Sequence, residues 1–311
     1  MPQREWISVQ MVVIRQTKKI GSCINKMNEP FSYPNNFLRF LGTGGARFTM
    51  LKQLRKTGGI WFTYGGLNGV VDPGPGSLYH MCSAAPPLDP HELRAIMLTH
   101  RHLDHSTDIN VIAEAMTGGS FEKQGMVVLP EDSAAGSGPV LLKYIAQKVG
   151  AVMIAEDGRR IDLGMGVTAE PVIHIHHGVD CFGYIFRKNG LRTWGIISDT
   201  RPLEHLAKRY SECSLITLNV TFPNKKPRLD HMSAEDAGEL LQKLHPEVAL
   251  ITHMGVIMIE AGPEKFAKMM STPQTRAIAA RDDMIIDLDT LRAYSKIDSE
   301  SRESSFLPID G

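Results

Sequence analysis

A histidine-rich segment near position 100 constrains this chain more than any other feature. Residues 99–105 read Thr-His-Arg-His-Leu-Asp-His and follow a short apolar run that begins at Ala95 and predicts a strand. Because side chains alternate along an extended segment, His100 and His102 point the same way and can share one metal ion. Asp104 and His105 follow where the chain turns, so they can face a second metal nearby. Imidazole and carboxylate ligands suit Zn, Fe or Mn, and the segment therefore predicts a metal centre.

Short apolar runs alternate with helical patterns along the middle of the chain, and this alternation predicts an α/β layered domain. The runs interpreted as buried strands include residues 126–129, 151–154, 193–197 and 215–220. The helical patterns lie at residues 139–149, 201–210 and 233–244. Ser233, with Asp236 three residues later, resembles a helix-start cap.

The two ends of the chain differ from this middle region. Residues 1–36 are interpreted as an N-terminal extension of unknown role, and residues 37–297 as one domain that contains the histidine-rich segment. Residues 298–311 are polar, and we expect them to be a mobile tail.

Composition excludes several classes of function. Lys and Arg together number 34, as do Asp and Glu, so the chain lacks the broad positive field of proteins that grip long nucleic acid. No apolar stretch reaches the roughly 18 residues that span a bilayer, and the N-terminus shows no cleavable leader pattern. The four cysteines are Cys23, Cys82, Cys181 and Cys213, which are far apart and are expected to be reduced thiols. We expect a cytoplasmic protein with no membrane partner, and the balanced charge still permits a small, anionic substrate.

The spacing His100-x-His102-x-Asp104-His105 resembles the signature of the metallo-β-lactamase superfamily. Further segments resemble the other motifs of that family, in the family's order. They are Leu41-Gly-Thr-Gly-Gly, Val71-Asp72-Pro-Gly, His177 with Gly183-Tyr184, Ser198-Asp199-Thr200 and Thr252-His253. The resemblance covers residues from about Phe37 to about Ile286. It implies a four-layer αβ/βα sandwich with the metals at one edge, between the sheets.

The resemblance also implies a ligand set for two divalent metal ions, with Zn favoured over Mn or Fe. One ion would be held by His100, His102 and His177, the other by Asp104, His105 and His253, and Asp199 would bridge them. Asp72 would support a ligand imidazole through a hydrogen bond. Related enzymes are often dimers, so a homodimer is a further expectation by analogy.

The third ligand of the first ion has two candidates, His177 and His176. If the strand alternates, Ile173, Ile175 and His177 share one face, while His174 and His176 share the other. Taking the apolar face as the one that points to the core favours His177. His176 remains the alternative, and His174 is expected to support the site or to be solvated.

His231 suggests which reaction the site performs. The segment Asp230-His-Met-Ser233 resembles the tRNase Z and phosphodiesterase branch of the family, where it implies a histidine near the leaving group. The hypothesis is attack by metal-bound hydroxide on a small nucleotide-like or cyclic phosphodiester. Asp104 would orient the nucleophile or accept its proton, and His231 would protonate the leaving oxygen.

Two other functions fit parts of the pattern. The same fold hosts lactone and thioester hydrolases, so an acyl hydrolase is the alternative enzyme. A metal-stabilised binding module without catalytic activity is the alternative outside enzymes. Only 22 positions separate His177 from Asp199 along the chain, which leaves room for a hairpin but not for the long arm that the resemblance implies for tRNase Z enzymes. A dedicated tRNA-processing enzyme is therefore not expected.

Overall fold

Two β-sheets with helices on their outer faces make up the structure, which is a computed structural model. It describes residues 31–136, 138–296 and 306–308. The interpretation of residues 1–30 as an extension, and of most of 298–311 as a mobile tail, concerns parts of the chain outside the described residues.

The strands are numbered in chain order among the described residues. They are β1 (Phe37–Phe40), β2 (Ile60–Tyr64), β3 (Leu67–Val71), β4 (Ala95–Met97), β5 (Met126–Leu129), β6 (Ala151–Ile154), β7 (Ile161–Gly164), β8 (Val167–His176), β9 (Val179–Arg187), β10 (Trp194–Ile197), β11 (Leu215–Asn219), β12 (Val248–Thr252), β13 (Arg276–Ala279), β14 (Ile285–Asp287), β15 (Ala293–Lys296) and β16 (Phe306–Pro308).

The strands form two mixed sheets. The first sheet has the order β16-β15-β14-β1-β2-β3-β4-β5-β6, and the second has the order β13-β12-β11-β10-β9-β8-β7. In the first sheet, β3 to β6 are parallel neighbours. In the second sheet, β10 to β13 are parallel neighbours, while β7, β8 and β9 form an antiparallel meander.

The α-helices are short and lie between the strands. They are α1 (Ala46–Lys52), α2 (Ser77–Cys82), α3 (Leu103–Ser106), α4 (Ile109–Met116), α5 (Glu131–Ala134), α6 (Lys143–Ala146), α7 (His205–Arg209), α8 (Ala234–Leu244), α9 (Val256–Ala261) and α10 (Pro263–Met270). Among the residues described, no helix is long and apolar enough to cross a membrane.

Three clusters of buried apolar side chains define the layers. The central cluster joins the inner faces of the two sheets, as where Phe62 of the first sheet meets Phe186 and Trp194 of the second. A second cluster packs α8 and α10 on the outer face of the second sheet. A third packs α2 and α4 on the outer face of the first sheet. The order helix, sheet, sheet, helix confirms the predicted four-layer α/β sandwich.

Segments assigned to the two ends of the chain also contact this sandwich. The Tyr33 ring stacks on Phe37 at a centroid distance of 4.5 Å, and the Tyr33 hydroxyl donates to the Pro86 carbonyl at 2.7 Å. Residues 306–308 pair with β15. Tyr33 and residues 306–308, which lie outside residues 37–297, therefore contact the layered structure.

Helix α8 matches its sequence signal closely. The Ser233 hydroxyl accepts from the Asp236 backbone N–H, and the Asp236 carboxylate accepts from the Ser233 backbone N–H, which is a reciprocal capping box. The helical pattern at 201–210 yields a shorter helix that starts at His205, because Arg201 N–H donates to the Ile175 carbonyl and stays outside the helix.

Candidate metal centre

The cluster predicted around residue 100 lies where strands of both sheets end. His100 follows β4, and Asp104 and His105 lie in α3, whose N-cap is His102. From the second sheet, Asp199 follows β10 and His253 follows β12. His176 is the last residue of β8. Strand ends are where loops collect functional groups, and here two sheets deliver them to one place.

Three imidazoles form the first group of potential ligands, called the first triplet below: His100, His102 and His176. The His102 Nδ1 atom lies 3.0 Å from His100 Nε2 and 3.0 Å from His176 Nε2. His100 and His176 are buried and His102 is half-buried.

A carboxylate and two imidazoles form the second triplet: Asp104, His105 and His253. His253 Nε2 lies 3.0 Å from His105 Nε2 and 3.2 Å from Asp104 Oδ2. The Ala46 backbone N–H donates to the same Asp104 oxygen at 2.8 Å. That contact fixes the carboxylate against the turn before α1.

Asp199 lies between the two triplets and is buried. Its Oδ2 atom is 3.5 Å from His176 Nε2 in the first triplet and 3.5 Å from His105 Nε2 in the second. Asn219 Nδ2 donates to the other oxygen, Oδ1, at 2.9 Å. One carboxylate therefore faces both groups of potential ligands.

The structure corrects the assignment of His177 to the first triplet. His176 occupies that place, while His177 is exposed, has a φ of 44° and begins the turn after β8. The sequence predicted correctly that side chains alternate along β8, but it predicted that the wrong face of the strand points inward. Ile173 and Ile175 are 43% and 39% exposed.

The polar face of β8 is the buried one because it has polar partners inside the protein. His174 Nδ1 lies 3.0 Å from the Ser198 hydroxyl, and His176 Nδ1 donates to the Asp230 carbonyl at 2.7 Å. An interior that satisfies imidazoles by hydrogen bonds reverses the usual rule that the apolar face points inward.

Supporting groups hold the ring nitrogens that point away from the cluster. Asp72 Oδ2 lies 2.9 Å from His105 Nδ1, and the Asp72 carboxylate also accepts from the backbone and hydroxyl of Thr99. Thr221 Oγ1 lies 3.2 Å from His253 Nδ1. The supporting position predicted for Asp72 agrees with these contacts. Thr221, Asn219 and Asp230 were missed, although the first two flank the end of the apolar run 215–220, where the strand-end rule applies.

Burial and neighbouring charges shift the pKa values of the cluster residues in opposite directions. Burial lowers the pKa of His100 well below its usual value. Burial also disfavours charge on His105, but the Asp104 and Asp72 carboxylates outweigh it and raise the pKa of His105 well above its usual value. Burial raises the pKa of Asp199, but the His253 and His231 imidazoles outweigh it and hold that pKa well below the usual range.

His231 lies beside the cluster, as predicted. Its Nδ1 atom is 3.1 Å from the Thr221 hydroxyl and 3.6 Å from Asp199 Oδ2. Burial lowers the pKa of His231 to about 4, so the imidazole is neutral at pH 7 unless a nearby negative charge favours its protonated form.

Gly45 lets the turn before α1 approach the second triplet closely. A Cβ atom on Gly45 would lie 2.1 Å from the His253 ring. Only a residue without a side chain lets the turn approach the second triplet so closely.

The donor set fits divalent metal ions. In each triplet the potential ligand atoms lie within 4.8 Å of one another. The outer nitrogens of His100, His105 and His176 contact a hydroxyl, a carboxylate and a carbonyl, which leaves their inner nitrogens facing the shared space. This division between inner and outer nitrogens is typical of metal-ligating histidines.

Comparisons with known proteins identify the family of the chain. A family model described as a beta-lactamase superfamily domain matches residues 68–254. An uncharacterized protein of Methanocaldococcus jannaschii is 30% identical over 225 residues, which are 70% of this chain and 83% of that protein.

Solved structures share the fold at lower identity. The metallo-beta-lactamase fold protein YhfI from Bacillus subtilis has a TM-score of 0.64 and 19% identity, over 81% of this chain and 99% of that chain. The short form of human tRNase Z has a TM-score of 0.61 and 16% identity, again over 81% and 99% of the two chains. These likenesses confirm the metallo-β-lactamase fold that the motifs implied.

Proposed function

The chain belongs to the β-lactamase superfamily of metal-dependent hydrolases, and we propose that it is a two-metal phosphodiesterase acting on a small nucleotide-like or cyclic phosphodiester. The observation that carries the proposal is the position of Asp199, whose Oδ2 atom is 3.5 Å from a nitrogen of each triplet. A carboxylate in that position can be shared by two cations.

The two triplets divide the ligands between two ions, for which Zn is favoured over Mn or Fe. His100, His102 and His176 would hold one, and Asp104, His105 and His253 the other. When bound, a pair of divalent cations lowers the pKa of water toward neutrality and offsets charge on a phosphoryl group.

Positive side chains near the cluster support an anionic substrate over a neutral lactone or thioester. Arg47 lines the groove that opens on His102, Asp104 and His231. Arg201 is exposed, and its guanidinium lies 3.9 Å from the carboxylate of Asp230, whose carbonyl accepts from His176. Such cations attract a diester that carries a negative charge.

The chain's own proton-transfer groups would be Asp104 and His231. The Asp104 carboxylate is held by Ala46 N–H, so it can orient the nucleophile or accept its proton. His231 lines the groove, where it would give a proton to the leaving oxygen. The negative charge of a bound phosphodiester would favour the protonated imidazole, against the effect of burial.

The experiment compares three ester classes on zinc-loaded protein. Bis-p-nitrophenyl phosphate, a lactone and a thioester are assayed in parallel, with Asp199→Asn as the inactive control. We expect the highest kcat/KM on the phosphodiester. Faster turnover of the lactone or thioester would support the acyl hydrolase instead, and bound metal without turnover of any ester would support a binding module.

The role of His231 is tested through the leaving group. His231→Ala should reduce turnover far more for a diester with an alkoxide leaving group than for one with p-nitrophenolate, because a good leaving group needs no proton. Equal losses on both substrates would contradict the acid role.

A further inference from the structure

A groove beside the metal centre is larger than a phosphoryl group requires. It has a volume of about 510 Å³ and opens on His102, Asp104, His176 and His231. Ligand sites commonly have volumes of roughly 300–1,000 Å³. The groove therefore has room for a substituent of the substrate next to the reacting bond.

Helix α1 and the adjoining α3 give one part of the groove an apolar lining. Phe48 and Leu103 both line it, and their side chains are 65% and 63% exposed. Neither belongs to the three buried clusters that hold the sandwich together. Large apolar side chains exposed together at a functional site mark a surface that contacts a ligand or partner.

The loop after β11 gives the groove a second aromatic ring. Phe222 lines the groove, and its ring lies 5.9 Å from the His231 ring at a steep angle. The Phe222 carbonyl accepts from the Ala234 backbone N–H, which fixes this residue to the start of α8. The ring is therefore held next to the proposed proton donor.

Rings from two separate elements restrict the chemistry of the occupant. Phenyl groups and the thioether of Met50, which also lines the groove, favour the faces and edges of aromatic rings. Arg47 lies beside Phe48, and a guanidinium can stack on an aromatic face while it attracts the phosphodiester charge. An aliphatic chain would gain burial here but none of these oriented contacts.

We infer that the groove binds a planar aromatic group, such as a nucleobase or aryl ring, carried by the substrate next to its scissile phosphodiester. Phe48 and Phe222 are the specificity-determining residues for that group. This inference rests on the proposed phosphodiesterase function, because the groove opens directly on the metal centre.

The activity test keeps the leaving group constant. Phenyl, cyclohexyl and methyl p-nitrophenyl phosphates are compared on zinc-loaded wild type, Phe48→Ala and Phe222→Leu. Phe121→Ala is the matched control, since Phe121 is 93% exposed and does not line the groove. We expect kcat/KM for the phenyl ester to exceed that for the other two by about tenfold, equivalent to about 1.4 kcal/mol. Phe48→Ala should lower kcat/KM for the phenyl ester toward that of the other two and so remove the preference, while Phe121→Ala should keep it.

A binding test separates this inference from the proposed function. Calorimetry on the same proteins compares phenylphosphonate with cyclohexylphosphonate and methylphosphonate. We expect the phenyl compound to bind about tenfold more tightly to wild type and to lose that advantage in Phe48→Ala. If no diester is hydrolysed but this preference is measured, the phosphodiesterase proposal fails and the aromatic site stands.

Several results would overturn the inference. Equal turnover and equal binding of phenyl and cyclohexyl compounds would show that the groove does not select aromatic groups. If both Phe48→Ala and Phe222→Leu keep the preference for phenyl compounds, these two residues do not determine the specificity of the groove. A surface for lipid or for a second copy is the remaining explanation of the exposed side chains. Loss of vesicle binding or of dimer formation in Phe48→Ala, with substrate preference unchanged, would favour that explanation and contradict ours.

Discussion

The two sheets contribute to the metal centre in different ways. The first sheet supplies four potential ligands from a single six-residue segment, His100 to His105. The second sheet supplies His176, Asp199 and His253 from the ends of three separate strands. The first half of the site is therefore encoded locally, whereas the second half is assembled by the packing of strands distant in sequence.

This difference determines what a local change can do to each half. In the first half, ligand positions depend on a short turn and on Asp72, which contacts both Thr99 and His105. In the second half, a ligand's position depends on which face of its strand points inward. A shift of one residue along β8 exchanges an interior imidazole for an exposed one.

The largest effect is expected at this point of the second half, from comparing His176→Ala with His177→Ala. His176→Ala should lower metal affinity by more than the roughly 100-fold that loss of a supporting group can cost, because Nε2 of His176 lies 3.0 Å from His102 Nδ1. His177→Ala should retain its metals and stay within about 0.5 kcal/mol of wild-type stability. Metal affinity is measured by calorimetry, and stability by urea denaturation.

His176→Gln is the second variant of this pair, since it keeps a polar side chain at the buried position if the alanine variant folds poorly. Greater loss of metal from His177→Ala than from either His176 variant would restore the original assignment. It would also show that the ligand face of β8 differs from the one described.

The sequence was sufficient for the first half of the site and for the layer order. Ligand spacing in residues 100–105 is a local property, and the apolar runs that became β5, β6 and β11 needed no tertiary information. Asp199 and His253 were found because each follows an apolar run. His177 was favoured over the alternative His176 because the interior that the other face of β8 meets is formed by distant residues, with Ser198 beside His174 and Asp230 beside His176.

The groove residues were beyond sequence reasoning for a related reason. Phe48 and Phe222 are ordinary apolar residues in the chain, and only the fold brings them to one groove. Asp230 was noted as part of a motif, but its carbonyl contact with His176 depends on how the loop after β11 lies against β8. Contacts of this kind have no signature in spacing.

An intermediate effect is expected from the groups that support each half. Asp72→Asn should lower metal affinity about 10–100-fold, because an amide cannot accept from both Thr99 and the His105 ring as a carboxylate does. Asparagine tolerates the positive φ of 51° at this position, so the backbone should be retained. Calorimetric titration with zinc measures the loss.

Thr221→Val is the matched change in the second half. It removes a neutral hydroxyl near His253 and His231, and a neutral hydrogen bond contributes only about 1 kcal/mol. Its zinc affinity should therefore fall less than that of Asp72→Asn. An equal or larger loss would mean that the assembled half depends on its supporting groups as strongly as the local half does.

The smallest effect is expected at the turn between β13 and β14, where the chain passes from the second sheet to the first. Burial raises the pKa of Asp283, but Lys56 and Arg39 outweigh it and hold that pKa below its usual value of about 3.9. A depressed pKa of this kind adds stability above the unfolded-state value, and that stability is lost as the pH falls through the folded-state value. Asp283→Asn, which tolerates the positive φ of 65°, should cost about 1 kcal/mol at pH 7 after allowance for solvent screening.

The cost should shrink as the pH is lowered from 5 toward 3, because the wild-type carboxyl then becomes neutral as well. Urea denaturation across this range measures it, with Glu264→Gln as the control for an exposed ion pair with Arg281. Zinc affinity at pH 7 should not change, since the neighbouring Asp282 still accepts from Thr43 and Lys56 and so holds the glycine turn beside His253. A cost independent of pH would contradict the charge argument. A loss of zinc affinity would show that the assembled half depends on this turn more directly than its hydrogen bonds indicate.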